Sequence, residues 1–340
     1  MKILKTLFVI LFITYGGAQA DEFVPSGSMG FTQTFYGNSG KYKTSTSHPS
    51  LFLNYNFSPE WGVQIEWDRL WNTYHFSGKS KQQDNSLSQP VGTLNYTYGY
   101  LGSSRVNWSS ALTIENRNTF RGIDPTYTFI STSFDFHEYL PTSKYINATQ
   151  FAISPKYIYG WQSRDPSGHV NTSVLSMLTN WTLPANFSLT LNAHLFREWY
   201  NGSMIVYDKS TQYSNANYFM LSAWLNYNST LYQFNDKAAL EFNFVGGFDP
   251  YIVSNKKAGW HPFLADNLRY EWPGPSAMSG EYRSTYTLFA LPKINFSYQY
   301  DKKLQLSTFI QAKYFNQVWG STEKDWRLQP QIGFGAIYNF

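Results

Sequence analysis

The sequence has no cysteine, few charges and, past its first twenty residues, no long apolar run. Without cysteine there are no disulfides, no thiolate metal sites and no cysteine nucleophile. Charged residues make up only 14% of the chain, where a soluble globular protein carries about a quarter. No downstream stretch approaches the ~20 apolar residues of a spanning helix, so helical membrane crossing is excluded. Neither sign of charge dominates: 26 basic residues face 22 acidic ones, and no basic run exceeds Lys256-Lys257 or Lys302-Lys303. That pattern argues against a nucleic-acid partner.

What is present is aromatic. Twelve Trp, 27 Tyr and 27 Phe bring aromatics to 19% of the 340 residues. The first twenty residues read as an address. Lys2 and Lys5 precede the apolar Leu7–Ile13, and Ala18-Gln19-Ala20 supplies a small-x-small cleavage site. These are the parts of a secretory signal peptide, with 21–340 as the mature domain. The apolar run is too short to cross about 30 Å of hydrocarbon. With no cysteine at the site, a lipid-anchored lipoprotein is ruled out.

Period two organises the remainder. Leu328, Pro330, Ile332, Phe334, Ala336, Tyr338 and Phe340 share one face, against Arg327, Gln329, Gln331, Gly333, Gly335 and Asn339. A strand sorts residues this way and a helix scrambles them. Leu304, Leu306, Thr308, Ile310, Ala312 and Tyr314 oppose Gln305, Ser307, Gln311 and Lys313 in the same manner. Fourteen such segments are expected, at 27–37, 49–57, 62–75, 91–100, 105–117, 126–139, 146–162, 170–183, 187–200, 215–230, 237–249, 283–299, 304–316 and 327–340. In strand six, Tyr127 and Phe129 disagree with Ile130, Phe134 and Phe136 over which face is apolar.

The links alternate in length. Ser58–Trp61, Gly102–Ser104, Pro184–Asn186 and Asp301–Lys303 are tight turns rich in turn-forming residues. Between them lie longer polar stretches such as 38–48, 76–90, 201–214 and 250–282. The expected fold is an all-β transmembrane antiparallel barrel of about 14 strands, with short periplasmic turns and long extracellular loops, in the cell outer membrane. Aromatics near strand ends (Phe57, Trp61, Tyr96, Tyr98, Tyr100, Tyr298, Tyr300) suit interfacial girdles. Outer-membrane lipid and lipopolysaccharide are therefore expected partners.

The faces opposite the apolar ones would line the lumen. They carry Glu66, Asp68, Glu115, Arg117, Lys156, His194, Glu241, Lys293, Lys313 and Arg327 among amides and hydroxyls. Such a lining suits a water-filled channel passing small hydrophilic solutes and ions by passive diffusion. The long link 250–282 carries Lys256, Lys257, Trp260, Arg269 and Trp272, candidates for a constriction loop. Catalysis has little support. The six histidines show no metal-binding spacing, and Asp135 with His137 is a pair that a strand produces by accident. No cofactor or metal is implied.

Several stretches resemble the FomA-like porins. Pro25–Gly37 is similar to that family's first strand, and Leu94–Asn107 to its fourth strand, turn and fifth strand. Trp326–Phe340 is similar to its last strand. The resemblance implies a fourteen-stranded porin, an assembly for which a homotrimer is open. The oligogalacturonate- and sialic-acid-oligosaccharide porins are a second likeness, through Trp61, Trp67 and Trp71, and imply an oligosaccharide-specific channel. Tyr338 and the terminal Phe340 resemble the C-terminal signal that the barrel-insertion machinery reads by strand addition. Mass spectrometry of the exported protein should find an N-terminus at Asp21. An intact Met1 in the membrane fraction would contradict the signal-peptide assignment.

Overall fold

The computed structural model describes residues 23–37, 46–70, 87–116, 118–119, 125–162, 168–201, 206–208, 211–255, 284–316 and 326–340. Fourteen long strands, numbered β1–β14 in chain order, build one sheet. They are Ser26–Tyr36, Thr46–Asn56, Trp61–Leu70, Leu87–Tyr100, Asn107–Asn116, Pro125–Asp135, Asn147–Gln162, His169–Thr182, Phe187–Asn201, Asn215–Asn235, Ala238–Ser254, Ser284–Gln299, Leu304–Phe315 and Arg327–Asn339. A small hairpin, Val206–Asp208 with Thr211–Tyr213, sits in the link between β9 and β10.

Each strand pairs antiparallel with its sequence neighbours, and β1 pairs with β14. The sheet therefore closes. At the seam Gly27 and Phe340 exchange both backbone hydrogen bonds at 3.0 Å. Closure removes the unpaired edges that a membrane-embedded sheet could not tolerate. Among the described residues, no helix is long and apolar enough to cross a membrane.

Residues paired across an antiparallel ladder face the same side, so register sorts inside from outside. Phe242, Ile294, Ile310, Ile332 and Phe35 form one row across five strands. Ile310, Ile332 and Phe35 on that row are exposed. One residue along lies Asn243, Lys293, Gln311, Gln331 and Tyr36, with Gln331 buried. The first row is the outer wall and the second the inner wall. The expected alternation in 304–316 and 327–340 is the one observed.

The short links lie at one end, together with the start of β1 and the end of β14. Outward aromatics at this end touch one another in a belt. It runs from Tyr338 and Phe340 to Tyr55, Phe57, Trp61, Tyr96, Tyr98, Trp108 and Phe134, with ring centroids 3.9–6.5 Å apart. Rings with polar tips settle at the headgroup level of a bilayer. In the β12–β13 turn, Asp301 accepts backbone N–H bonds from Lys303 and Leu304. These bonds hold its carboxyl below the ordinary aspartate value.

The strands differ from expectation where the ladder slips. β6 ends at Asp135 and a short 3-10 turn, His137–Tyr139, follows, so Asp135 and His137 do not share a strand face. β10 runs to Asn235 and β11 to Ser254, past the expected 230 and 249. Register shifts at Thr230/Tyr232, Gln233/Asn235 and Phe248/Tyr251 break the alternation that would have shown these extensions. β4 begins at Leu87, with Pro90 inside the strand rather than before it.

Gly247 sits beside such an irregularity with φ of 145°, and a Cβ there would lie 1.9 Å from the Ala223 carbonyl oxygen. Gly247→Ala should destabilise the barrel by ~1–3 kcal/mol, read as a lower urea midpoint in detergent or liposomes. Phe340 covers Gly27, where a Cβ would meet its ring at 2.8 Å. Deleting Phe340 should therefore reduce the yield of heat-modifiable barrel in cells, and normal yield would count against a seam role.

Candidate functional site

The inner wall is the surface on which the fold gathers its chemistry. Register places Glu66 and Asp68 on the inward face of β3, Glu115 on β5, Lys156 on β7 and His194 on β9. Glu241, Lys293, Lys313 and Arg327 follow on β11 to β14. Arg117 lies outside the described residues, as do Lys256, Lys257, Trp260, Arg269 and Trp272. Because β11 continues to Ser254, the link expected at 250–282 spans 255–283. Tyr338 faces outward at the seam, its ring near that of Phe340.

Burial divides this wall along the barrel. Toward the short turns, Asn56, Gln64, Thr97, Asn107, Thr182 and Thr230 are exposed on the inner face. Toward the long links, inner residues are buried: Gln89, Glu115, Thr172, Glu198, Ser222, Phe315 and Gln329. The deepest patch is aromatic, with Tyr127, Phe129, Ile158, Val170, Phe196, Tyr200, Tyr218 and Met220 packed as one cluster on β6 to β10. This settles strand six. Tyr127 and Phe129 face inward, and Ile130 and Phe134 face outward.

The inner polar groups pair across strands. The Gln89 amide donates to Glu115 at 2.7 Å, and the Asn295 amide to Glu241 at 2.9 Å. Tyr36, His48 and Asp68 form a line, with Tyr36 Oη 3.2 Å from His48 Nδ1 and His48 Nε2 3.2 Å from Asp68. Ser176 Oγ lies 2.8 Å from His194 Nδ1. The Tyr200 hydroxyl bonds to both Glu198 and Tyr218. Along β13 and β14, Gln311 donates to Gln331, Gln331 to Gln329, and Gln329 to the Gly37 carbonyl. A buried polar group costs stability unless bonded, so these chains are what allow so polar a wall.

The lysines use rings. Lys293 Nζ lies 4.3 Å from the Phe309 ring centroid, Lys313 Nζ 4.6 Å from Phe289 and Lys156 Nζ 5.8 Å from Phe129. Each is a cation–π contact. These inward aromatics are the residues that the alternation missed, although Phe309, lying between inward Ser307 and Gln311, carries its parity in the sequence.

Asp135 and His137 do approach, at 3.1 Å. The same Asp135 oxygen accepts the backbone N–H of His137 and of Phe151, which is the work of a turn cap. Among the described residues, no group of three or more His, Asp or Glu could hold a metal ion.

No protein-family model matches this sequence, and no curated protein does. The likeness to FomA-like porins therefore stays one of sequence pattern. Solved structures match the barrel loosely. A bacterial polysaccharide outer membrane secretin shares 8% identity over 92% of this chain and 98% of its own, at a TM-score of 0.43. The outer membrane channel DcaP of Acinetobacter baumannii shares 10% over 93% and 96%, at 0.38. The NanC porin shares 10% over 72% and 92%, at 0.30. Similarity this distant carries no argument about function, which rests on the inner wall itself.

Gln331 is the link through which the β13–β14 amide chain passes. Gln331→Leu should lower folding stability by about 1–3 kcal/mol, measured by equilibrium unfolding in liposomes. An unchanged midpoint would mean that the chain contributes nothing net.

Proposed function

We propose that the chain is an outer-membrane porin, a water-filled channel through which small hydrophilic solutes and ions diffuse passively. The observation that carries this is the partition of the wall: Ile310, Ile332 and Phe35 outside, and Asn243, Lys293, Gln311 and Gln331 one residue away inside. An apolar outer face dissolves in hydrocarbon, and amides, hydroxyls and mixed charges on the inner face keep water and ions in the lumen. Fourteen strands enclose more space than the eight whose side chains alone can fill the interior. Glu66, Lys156, Glu241, Lys293 and Arg327 are then pore-lining, while Asp68, Glu115, His194 and Lys313 point inward but are buried within the wall. The sequence likeness to FomA-like porins supports the same conclusion.

An oligosaccharide-specific channel is the second reading. It is favoured by the density of inner amides, such as Asn228, Asn243 and Gln311 beside Lys293, because amides pair well with sugar hydroxyls.

Purified, refolded protein should produce discrete conductance steps in planar bilayers and should let small sugars swell liposomes. Folded barrels that give neither would contradict the channel. Swelling by oligosaccharides at rates far above those of monosaccharides would favour the second reading.

A further inference from the structure

Lys293 lies at the middle of the inner row, between Asn243 on β11 and Gln311 on β13. It is partly exposed, whereas Lys313 is buried between Phe289 and Phe315. Its ammonium rests over the Phe309 ring at 4.3 Å and makes no ion pair among the described residues. The inner carboxylate on the neighbouring strand, Glu241, accepts a hydrogen bond from Asn295 and also interacts electrostatically with Lys293 without forming an ion pair. The Phe309 ring lies over Gly333, where a Cβ would come within 2.3 Å of Cζ and 2.5 Å of the Gln33 carbonyl oxygen. Glycine, ring and ammonium are thus stacked on the wall in that order.

We propose that Lys293 sets the ion preference of the channel, and that Phe309, lying on Gly333, is the residue that positions it. The proposal rests on the channel reading above. A free lysine samples many rotamers and spreads its charge through the lumen. One laid across a ring presents its ammonium at a fixed place on the wall, with the Asn243 and Gln311 amides on either side. Such a site attracts small anions, carboxylates and phosphates included, and repels cations of the same size. One fixed charge a few ångströms from a watery path, partly screened by salt, should alter the permeability ratio about twofold.

Reversal potentials in a potassium chloride gradient test this, using full-length protein first shown to be folded by heat-modifiable mobility. Lys293→Gln should lower the anion-to-cation permeability ratio about twofold, Lys293→Met should do the same, and Lys293→Arg should keep the wild-type value. Phe309→Leu keeps the charge and removes the ring, and should fall between wild type and Lys293→Gln. Lys293→Gln and Lys293→Met channels with the wild-type reversal potential would overturn the proposal. A Phe309→Leu channel identical to wild type would overturn the positioning part of it. A wild-type protein that never conducts would instead overturn the channel reading from which the proposal starts.

Discussion

A backbone in hydrocarbon must bond to itself. Each N–H or C=O left unpaired there costs several kcal/mol, far more than a typical side-chain contact returns. In this chain the requirement is met by the pairing of β1 with β14, from Ser28 opposite Asn339 to Tyr36 opposite Gln331. The terminal Gly27–Phe340 bonds extend the ladder to the last residue. Small residues make the seam close. Gly27 accommodates the Phe340 ring, and Gly30 and Gly333 accommodate Phe52 and Phe309 from the flanking strands. Once the ring of strands is closed, the period-two pattern has one meaning on every strand, and the two walls are determined.

The inner wall is polar but not uniformly wet. Its turn-side half presents amides and hydroxyls to the lumen, and its link-side half buries acids and aromatics against one another. Glu115 and Glu198 are fully buried there, each hydrogen-bonded to a neighbouring strand or residue. Charges in that zone contribute first to the wall's own structure. A partly exposed group such as Lys293 is open to the lumen, and this separates lining from mere inwardness.

Much of this architecture was legible in the residues. The alternation in β9, β13 and β14 fixed both the presence of those strands and their inner faces, because each runs without a bulge across its length. The strand number followed from counting the alternating segments, and the turns agreed with it, since Pro184-Ala185-Asn186 and Asp301-Lys302-Lys303 carry the chemistry of tight reversals. Ala185 and Asn186 both take positive φ, 55° and 63°, within the reversal closed by the Leu183 N–H bond to the Phe187 carbonyl. The ends of β10 and β11 were hidden by bulges, where one extra residue inverts the pattern. The inward aromatics were hidden for another reason. Composition assigns a ring to lipid, and only the register shows that Tyr127 faces the lumen. Cross-strand partners were out of reach altogether, as Gln89 and Glu115 meet through pairing and not through spacing.

The central claim is that neighbouring residues on one strand face different solvents. The absence of cysteine makes this directly measurable, because a single introduced thiol reports one position. Ile310→Cys and Gln311→Cys, reconstituted in liposomes, should separate cleanly. A membrane-impermeant, water-soluble thiol reagent should label Gln311→Cys and spare Ile310→Cys, and a lipid-partitioned reagent should do the reverse. The same reversal is predicted for Ile65→Cys and Gln64→Cys, two exposed neighbours on opposite faces of β3. Equal labelling of both members of either pair by the water-soluble reagent would contradict the two-walled barrel and the channel built on it.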